Sequence, residues 1–289
     1  MDKIIFITSH NSPNECKTLD MLKALGYNGD YRIVIDDEDK YIPEYSAKYL
    51  SKLVVFPKTK YIEKTDVAHN STTKPKALVV YARNAIEDYC RINHVKMFCV
   101  ADDDIKNFSY KYLIHETQQT KTEHLANGDI NKVLDYYYDF AIKGNIATLG
   151  FGTDNFYFGG YQGLVTGQAV ERRSVSNFFI RNRDFDIDWI MPMEDFNTAM
   201  KYGKNGILFF TAPQVKLTVA PQYTQSNAKT TGDNGMIEFY NNVNGFTRSF
   251  YSSIVRPDCM TTKIFNNKYT PSMKKDNAYP KIISSKYQK

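Results

Sequence analysis

Apolar residues in the first third of the chain form short continuous runs separated by polar segments, a pattern typical of buried strands. The runs cover residues 3–8, 31–35, 53–56 and 95–100. Between the first two runs, leucines recur with helical spacing at Leu19, Leu22 and Leu25. This helix is predicted to begin near Ser12 and to end at Gly26. A strand, a helix and a strand at this spacing predict a βαβ unit and therefore a parallel sheet.

Weaker patterns continue the alternation of helices and strands through the rest of the chain. Helices are predicted at residues 77–92, 130–143, 193–202 and 235–250. Strands are predicted at residues 146–151, 175–180, 207–210 and 215–219. Residues 59–76 and 110–127 show little periodicity, so we expect irregular surface segments there. Together these elements predict a single α/β domain over residues 1–255 and a basic, tyrosine-bearing extension at residues 256–289.

Composition narrows the class of protein without identifying it. The chain has 289 residues, 42% of them hydrophobic, which is enough to bury a substantial core. Its net charge of +5 permits a polyanionic partner but does not require one. The four cysteines are far apart in the sequence, which argues against a zinc site and a disulfide framework. We expect a cytoplasmic protein without a membrane partner, because no apolar run is long enough for a signal peptide or a membrane span.

Three consecutive carboxylates follow the fourth apolar run, at Asp102, Asp103 and Asp104. Like charges at the end of a buried strand repel one another and are costly to desolvate, and a divalent cation relieves both costs. A hard ion such as Mg²⁺ or Mn²⁺ takes oxygen ligands and commonly holds a phosphate as well. The pattern therefore predicts an Asp-x-Asp metal site, using Asp102 and Asp104, for a nucleoside diphosphate compound. The alternative is a solvated acidic turn without function.

Other charged residues are candidates for the same site. Arg83 lies on the helix before the acidic strand, where its guanidinium could bind a diphosphate in a bidentate manner. Glu194 and Asp195 begin a later helix, and either is a candidate general base, although a helix N-terminus also favours carboxylates without any catalytic role. Asp36 and Asp37 end the second strand, where a carboxylate could bond a ribose hydroxyl or a base, and a solvated acidic loop is the alternative.

The basic, aromatic C-terminal extension is a candidate for contacting nucleic acid, through residues such as Lys274, Lys275 and Tyr279. A solvated terminus without a partner is the other interpretation. The sequence has no histidine pair with metal-binding spacing, no Walker motif and no nucleophile elbow.

Four segments together carry a family resemblance: Ala82-Arg83-Asn84, Asp102-Asp103-Asp104-Ile105, Met193-Glu194-Asp195, and Gly232-x-x-Gly235 followed by Phe239-Tyr240. In this order they resemble GT-A glycosyltransferases and, more closely, the TET-associated glycosyltransferases found largely in phages. That family is thought to add sugars to hydroxymethylated pyrimidines in DNA.

The resemblance implies a GT-A-like, Rossmann-like fold, with a mixed and mainly parallel sheet flanked by helices. Residues 1–110 would bind the nucleotide sugar and residues 111–255 the acceptor. The donor would be a UDP-sugar, the acceptor DNA that contains hydroxymethylated pyrimidine, and the cofactor Mn²⁺ or Mg²⁺. A phage protein of this kind would act in the host cytoplasm.

The resemblance also implies roles for individual residues. The metal would lie at Asp102 and Asp104, with Asp104 as the direct ligand, and Glu194 or Asp195 would serve the acceptor. The predicted donor contacts are Thr8, Ser9, Asp36, Asp37, Arg83, Asp102 and Asp103. Within the triplet, Asp102 is expected to contact the ribose or, through water, the metal, and Asp103 is expected to matter least.

This chain departs from the family pattern in two places, the loop after the first strand and the residues that complete the metal shell. The segment after the first strand, Ser9-His10-Asn11-Ser12-Pro13, lacks the arginine that many members have there, which Lys17 could replace. No histidine follows His124, so water or another carboxylate must complete the metal shell.

Two other hypotheses fit the same residues. The carboxylates could serve a two-metal nucleotidyltransferase, which would release pyrophosphate from a nucleoside triphosphate. The chain could also be a non-enzymatic nucleic-acid-binding protein, whose function would survive the loss of Asp104.

Overall fold

A nine-stranded mixed sheet forms the centre of the protein in a computed structural model that describes residues 4–67, 78–157, 159–165, 177–220, 239 and 243–274. Its strands are β1 (Ile4–Thr8), β2 (Asp30–Asp36), β3 (Leu53–Phe56), β4 (Met97–Asp102), β5 (Ile105–Ile114), β6 (Gln119–His124), β7 (Ile146–Gly152), β8 (Phe178–Asn182) and β9 (Leu208–Val219). A separate hairpin consists of β10 (Met260–Phe265) and β11 (Lys268–Met273).

The described helices pack on the sheet or, in the case of the last one, on the β10–β11 hairpin. They are α1 (Lys17–Ala24), α2 (Ile42–Tyr49), α3 (Lys58–Lys64), α4 (Val79–Ile92), α5 (Asp129–Lys143), α6 (Gly160–Val165), α7 (Glu194–Gly203) and α8 (Gly245–Val255). None of these described helices has the length and apolar character needed to cross a lipid bilayer.

The strand order is β3-β2-β1-β4-β8-β7-β9-β5-β6, in which β8 and β5 run opposite to the other seven strands. The predicted fold class, a mixed and mainly parallel sheet flanked by helices, is therefore confirmed. Thr8 at the end of β1 pairs with Val34 of β2 on one side and Asp102 of β4 on the other. The carboxyl ends of β1, β2 and β4 thus meet at one edge, where ligands bind in open α/β sheets.

The core has two layers, one on each face of the sheet. In β1 the side chains of Ile5 and Ile7 pack into one layer, while those of Ile4 and Phe6 pack into the other. A strand buried on both faces has a continuous apolar sequence, which explains why the prediction for β1 agrees closely with the structure. The predicted bounds of β3 also agree, although this strand lies at the edge of the sheet and Val55 is 43% exposed. Helices α1 and α5 cover the first layer, and α4 covers the second.

Several local predictions were wrong. Helix α1 begins at Lys17 rather than near Ser12, because the Ser12 hydroxyl bonds the Asp103 carboxylate instead of capping a helix. Residues 110–127 form the antiparallel strands β5 and β6, not an irregular segment. Much of this pair is exposed, so its residues lack the apolar alternation of a half-buried strand.

The remaining differences concern three segments. Helix α2 was not predicted, and α3 occupies the first part of the predicted surface segment 59–76. The two strands predicted at residues 207–210 and 215–219 are one strand, β9, whose pairing with β7 shifts register close to Pro213.

The C-terminal region differs from the predicted boundaries. Helix α8 begins at Gly245, where the Asn244 side chain accepts a hydrogen bond from Thr247 N at 2.8 Å. The strands β10 and β11 lie within the predicted extension 256–289. Gly232, Gly235 and Tyr240 of the fourth family segment lie outside the described residues.

Candidate functional site

The acidic triplet forms the turn between β4 and β5. Asp102 is the last residue of β4, and its Oδ2 accepts a hydrogen bond from Asn177 Nδ2 at 3.0 Å. The Asp102 backbone N–H donates to the Asn177 carbonyl at 2.9 Å. Thr8 Oγ1 lies 3.4 Å from Asp102 Oδ1. Asn177 was not predicted, because an asparagine before a strand has no sequence signal that points to a carboxylate distant in the chain.

The first turn of α1 fixes the backbone of the triplet. The fully buried Thr18 donates its hydroxyl to the Asp102 carbonyl at 2.5 Å and accepts from Ile105 N at 3.0 Å. Its backbone N–H donates to the Asp103 carbonyl at 3.1 Å. Thr18 therefore connects Asp102, the first residue of the turn, with Ile105, the residue that follows the turn.

Asp103 connects the triplet to the loop between β1 and α1. Its Oδ2 accepts hydrogen bonds from Ser9 Oγ at 2.6 Å and Ser12 Oγ at 3.2 Å. The Tyr45 hydroxyl, on the buried side of α2, lies 2.8 Å from Ser9 Oγ and accepts from Ser12 N at 3.1 Å. The middle aspartate thus holds the loop that contains Ser9, one of the residues predicted to contact the donor.

Arg83 brings the two predicted acidic sites together. Its side chain is 1% exposed and donates from Nη1 to Glu194 Oε1 at 3.1 Å and from Nη2 to Asp102 Oδ1 at 3.4 Å. The guanidinium lies over the rings of Phe179 and Trp189, at 5.5 and 5.4 Å from their centroids. The buried arginine therefore orients one carboxylate from each site.

The neighbouring Asn84 fixes the segment that leads into α7. Its Oδ1 accepts from Trp189 N at 2.8 Å, and its Nδ2 donates to the Trp189 carbonyl at 3.1 Å. Two neighbouring residues of α4 thus fix both acidic sites. Arg83 contacts Asp102 and Glu194, and Asn84 holds the backbone of Trp189, in the segment before Glu194.

Glu194 and Asp195 form the first turn of α7, where the helix dipole favours negative charge. Glu194 is buried against Arg83, whereas Asp195 is half-buried and accepts from Phe196 N at 2.8 Å. Met193 before them has a φ of 53°, in the left-handed region that non-glycine residues rarely adopt. Of the two carboxylates, Asp195 is the more accessible to solvent.

The protein does not neutralise the triplet. Burial raises the pKa of Asp102 to about 6, with Arg83 opposing this rise and Glu194 adding to it. Burial, together with the charges of Asp102 and Asp103, raises the pKa of Asp104 to about 7. Burial also raises the pKa of Asp103. These carboxylates are therefore costly to ionise until a positive charge arrives.

A divalent cation fits this set of oxygen atoms. Oδ1 of Asp104 is buried and, across the described part of the chain, has no hydrogen-bond partner. Within the residues that the structure describes, no group of three or more His, Cys, Asp or Glu side chains is arranged to hold a metal ion. Two carboxylates with substrate phosphates and water are a usual set for Mg²⁺. The ligands from the protein would be Asp102 and Asp104.

The acidic end of β2 is arranged differently. Asp36 lies 3.1 Å from Lys58 Nζ and 3.4 Å from His10 Nδ1. Although burial raises the pKa of Asp36, hydrogen bonds from His10 and Lys58 outweigh it, so this pKa lies below its usual value. Asp37 Oδ1 accepts from Lys58 N at 2.9 Å at the start of α3. Both predicted nucleotide contacts thus have partners within the protein.

The predicted nucleic-acid contacts are only partly described. Lys274 is exposed at the end of β11, and its backbone N–H donates to the Cys259 carbonyl at 2.8 Å. Lys275 and Tyr279 lie outside the described residues.

A sequence model of the family described as TET-Associated Glycosyltransferase matches residues 3–228. A search of curated proteins by sequence found no match.

Among solved structures, a mannosyltransferase from Pyrobaculum calidifontis in complex with GDP-Man and Mn²⁺ is 11% identical, with a TM-score of 0.44 over 83% of this chain. This chain spans 63% of that protein. A glucosyl-3-phosphoglycerate synthase from Mycobacterium tuberculosis, in complex with Mn²⁺, UDP and phosphoglyceric acid, is 8% identical, with a TM-score of 0.45 over 94% of this chain and 86% of its own. S. aureus TarS 1-349 in complex with UDP-GlcNAc is 15% identical, with a TM-score of 0.41 over 79% of this chain and 61% of its own.

Proposed function

This chain belongs to the TET-associated glycosyltransferase family, as its motifs predict, and we propose that it transfers a sugar from a UDP-sugar to a 5-hydroxymethylpyrimidine in DNA. The observation that carries the nucleotide-sugar site is the half-buried acidic triplet, whose carboxylates have raised pKa values and lie beside a second acidic site. The choice of donor nucleotide and acceptor rests on the family resemblance.

The donor diphosphate binds at the carboxyl end of β4. A Mg²⁺ or Mn²⁺ ion held by Asp102 and Asp104 would stabilise the negative charge on the departing nucleoside diphosphate. Thr8 and Ser9 lie on the adjacent end of β1, and Asp103 keeps the Ser9 loop in place through two hydroxyl hydrogen bonds. Asp36 lies at the end of β2, on the same edge of the sheet. A ribose or a base bound beyond this strand would lie beside it.

Arg83 and Glu194 position the reacting groups. The arginine is too deeply buried to lie flat against a diphosphate, and its two terminal nitrogens already contact carboxylates. We therefore assign it to the orientation of Asp102 and Glu194, in place of the direct diphosphate contact that the family resemblance implies.

Asp195 serves the acceptor if the reaction inverts the anomeric carbon. Its carboxylate takes the hydroxyl proton as the acceptor oxygen bonds to the sugar and the bond from the sugar to the diphosphate breaks. Asp195 suits this role better than Glu194, because it is more exposed and Glu194 is bound to Arg83. A retaining reaction would not need this base.

The test incubates the full chain with hydroxymethylated DNA, Mn²⁺ and a panel of UDP-sugars. The DNA is then digested to nucleosides, whose masses are measured. We expect one donor to add one sugar mass, with Asp104→Asn inactive and the exposed Asp20→Asn as the control with the same chemical change. If no donor gives transfer or slow hydrolysis, the proposal is wrong. Pyrophosphate release from a nucleoside triphosphate would favour a nucleotidyltransferase instead.

A further inference from the structure

Helix α8 exposes a row of large apolar side chains. Phe246, Phe250 and Ile254 are 45, 46 and 62% exposed, and their spacing of four residues places them on one side of the helix. The rings of Phe246 and Phe250 stack with centroids 5.3 Å apart. Apolar rows of this kind on a protein surface commonly mark a site of interaction.

The β10–β11 hairpin continues this surface. Tyr269 makes an edge contact with Phe246, at 5.3 Å between centroids, and pairs across the hairpin with Ile264. Lys263 and Phe265 alternate with Ile264 along β10, and Lys268 pairs with Phe265. One side of the ribbon is therefore apolar and joins α8, while the other combines two lysines with a phenylalanine.

The tip of this ribbon is exposed on both sides. Every residue from Lys263 to Thr270 is exposed, and neither strand pairs with the nine-stranded sheet. A lone two-stranded hairpin is marginally stable, so its base must be anchored elsewhere. Cys259 and Met260 at the base are buried against Met200.

The anchor lies on the helix that carries the proposed base. Met200 belongs to α7, and Arg256 Nη1 donates to its carbonyl at 3.0 Å. Phe196, which follows Asp195, joins the same apolar cluster. The hairpin is therefore fixed to the acceptor side of the proposed site rather than to the donor side.

Positive charge is concentrated in the same region. Residues 244–274 contain five basic residues and one acidic residue, in a chain whose net charge is +5. The one acidic residue, Asp258, is paired with Arg256 through two contacts of 2.8 Å. A polyanion is the partner that complements this surface.

We propose that the β10–β11 hairpin and the apolar row of α8 form a docking arm for duplex DNA. A two-stranded ribbon fits the major groove, lysines neutralise phosphates, and exposed aromatic side chains contact bases. The choice of DNA among polyanions rests on the proposed function. The arm lies beyond residues 3–228, which the family model matches, so it is a feature of this chain rather than of that match.

The test measures binding of the full chain to a labelled, unmodified DNA duplex, without sugar donor and with EDTA, by fluorescence anisotropy at several salt concentrations. We expect Lys263→Ala combined with Lys268→Ala to reduce the slope of log affinity against log salt by about 1.8, because each phosphate contact contributes about 0.9. The control combines Lys23→Ala and Lys96→Ala, which remove the same charge near the amino ends of the strands and should leave the slope unchanged.

A second variant separates apolar contact from charge. Phe265 is 68% exposed, so Phe265→Ala should fold normally, weaken binding by about tenfold and leave the salt slope unchanged. An equal reduction of the salt slope in the Lys23→Ala, Lys96→Ala control would overturn the proposal, as would a wild-type protein that does not bind the duplex. Two other results would overturn it. One is that the wild type binds phosphatidylserine vesicles instead of DNA and the lysine pair variant does not, and the other is a dimer in gel filtration that Phe265→Ala dissociates.

The arm and the proposed function fail in different ways. Because the binding assay needs no donor, metal or modified base, DNA binding without sugar transfer would overturn only the proposed function. Sugar transfer to DNA with unchanged KM in the lysine pair variant would overturn only the arm.

Discussion

Two groups of carboxylates, one buried at the end of β2 and one half-buried at the end of β4, lie at the same edge of the sheet and differ in how their charge is balanced. At the end of β2, Lys58 and His10 keep the pKa of Asp36 below its usual value. At the end of β4, burial raises the pKa of Asp102 to about 6 and that of Asp104 to about 7. In the first group, which we call the complete group, side chains of the protein balance the negative charge. In the second, the incomplete group, part of the negative charge has no positive partner.

This difference distinguishes a carboxylate whose charge the protein balances from carboxylates whose charge a bound cation would balance. Burial alone does not distinguish them, because both groups are desolvated. What distinguishes them is that Asp36 has a lysine beside it, whereas Arg83 is divided between Asp102 and the second acidic site at Glu194. Carboxylates left with raised pKa values at the carboxyl edge of a parallel sheet are candidates for function.

The largest expected effect is the loss of activity on removing one charge from the incomplete group. Asp104→Asn should reduce sugar transfer by about a thousandfold at saturating Mn²⁺, because the proposed metal ion would lose one of its two carboxylate ligands. The rate of transfer to hydroxymethylated DNA measures this. Asp20→Asn should retain the wild-type rate, and an Asp104→Asn rate within a few-fold of wild type would contradict the metal assignment.

Next in size is the loss of the cation from the complete group. Lys58→Met leaves Asp36 buried without its lysine and should lower the free energy of unfolding by about 3 kcal/mol. Urea denaturation measures the change. The double variant with Asp36→Asn should recover most of the loss, and a failure to recover would show that Lys58 acts through packing rather than charge.

Supplying the missing cation should stabilise only the incomplete group. With Mn²⁺ and UDP at about a hundredfold above their dissociation constants, we expect wild-type stability to rise by about 2–3 kcal/mol. Thermal unfolding in the presence and absence of both ligands measures this. In Asp104→Asn the part of the rise that depends on Mn²⁺ should disappear, and its persistence would place the ion elsewhere.

The smallest expected effect is a dependence on pH in the absence of metal. A raised folded-state pKa means that the native protein holds the Asp104 proton more tightly than the unfolded chain. The wild type therefore loses stability as the pH rises from the unfolded pKa, near 4, through about 7. Asp104→Asn avoids this loss, so it should be more stable than wild type by about 1 kcal/mol at about pH 8.

Urea denaturation in EDTA at about pH 8 and about pH 4 tests this dependence, with the gain expected to vanish at the lower value. A gain of equal size at both values would indicate a packing effect of the asparagine.

The sequence was sufficient for the elements that are buried on both faces and for the position of the triplet. The continuous apolar run of β1 admits few alternatives, and three aspartates after a run of this kind mark the end of a strand. The family motifs also named Arg83, Asp102 and Glu194, which the structure brings into contact.

Contacts between distant segments could not be predicted in the same way. Ser12 has the spacing of a helix cap, but its hydroxyl bonds Asp103, far away in the sequence. The pairing of β5 with β6 depends on backbone hydrogen bonds and not on an apolar pattern. The polar, aromatic hairpin β10–β11 lacks the alternation of a half-buried strand, because its tip is exposed on both sides.

The hydroxyl of Thr18, which connects Asp102 to Ile105 across the acidic turn, has a consequence for how a metal ion would be selected. A turn that is already rigid presents its carboxylates at a set separation and cannot expand around a larger ion. Small ions with strict geometry, such as Mg²⁺ and Mn²⁺, suit such a turn better than Ca²⁺, which prefers a flexible shell with more ligands. Discrimination against calcium would then begin in the first turn of α1, outside the metal shell itself.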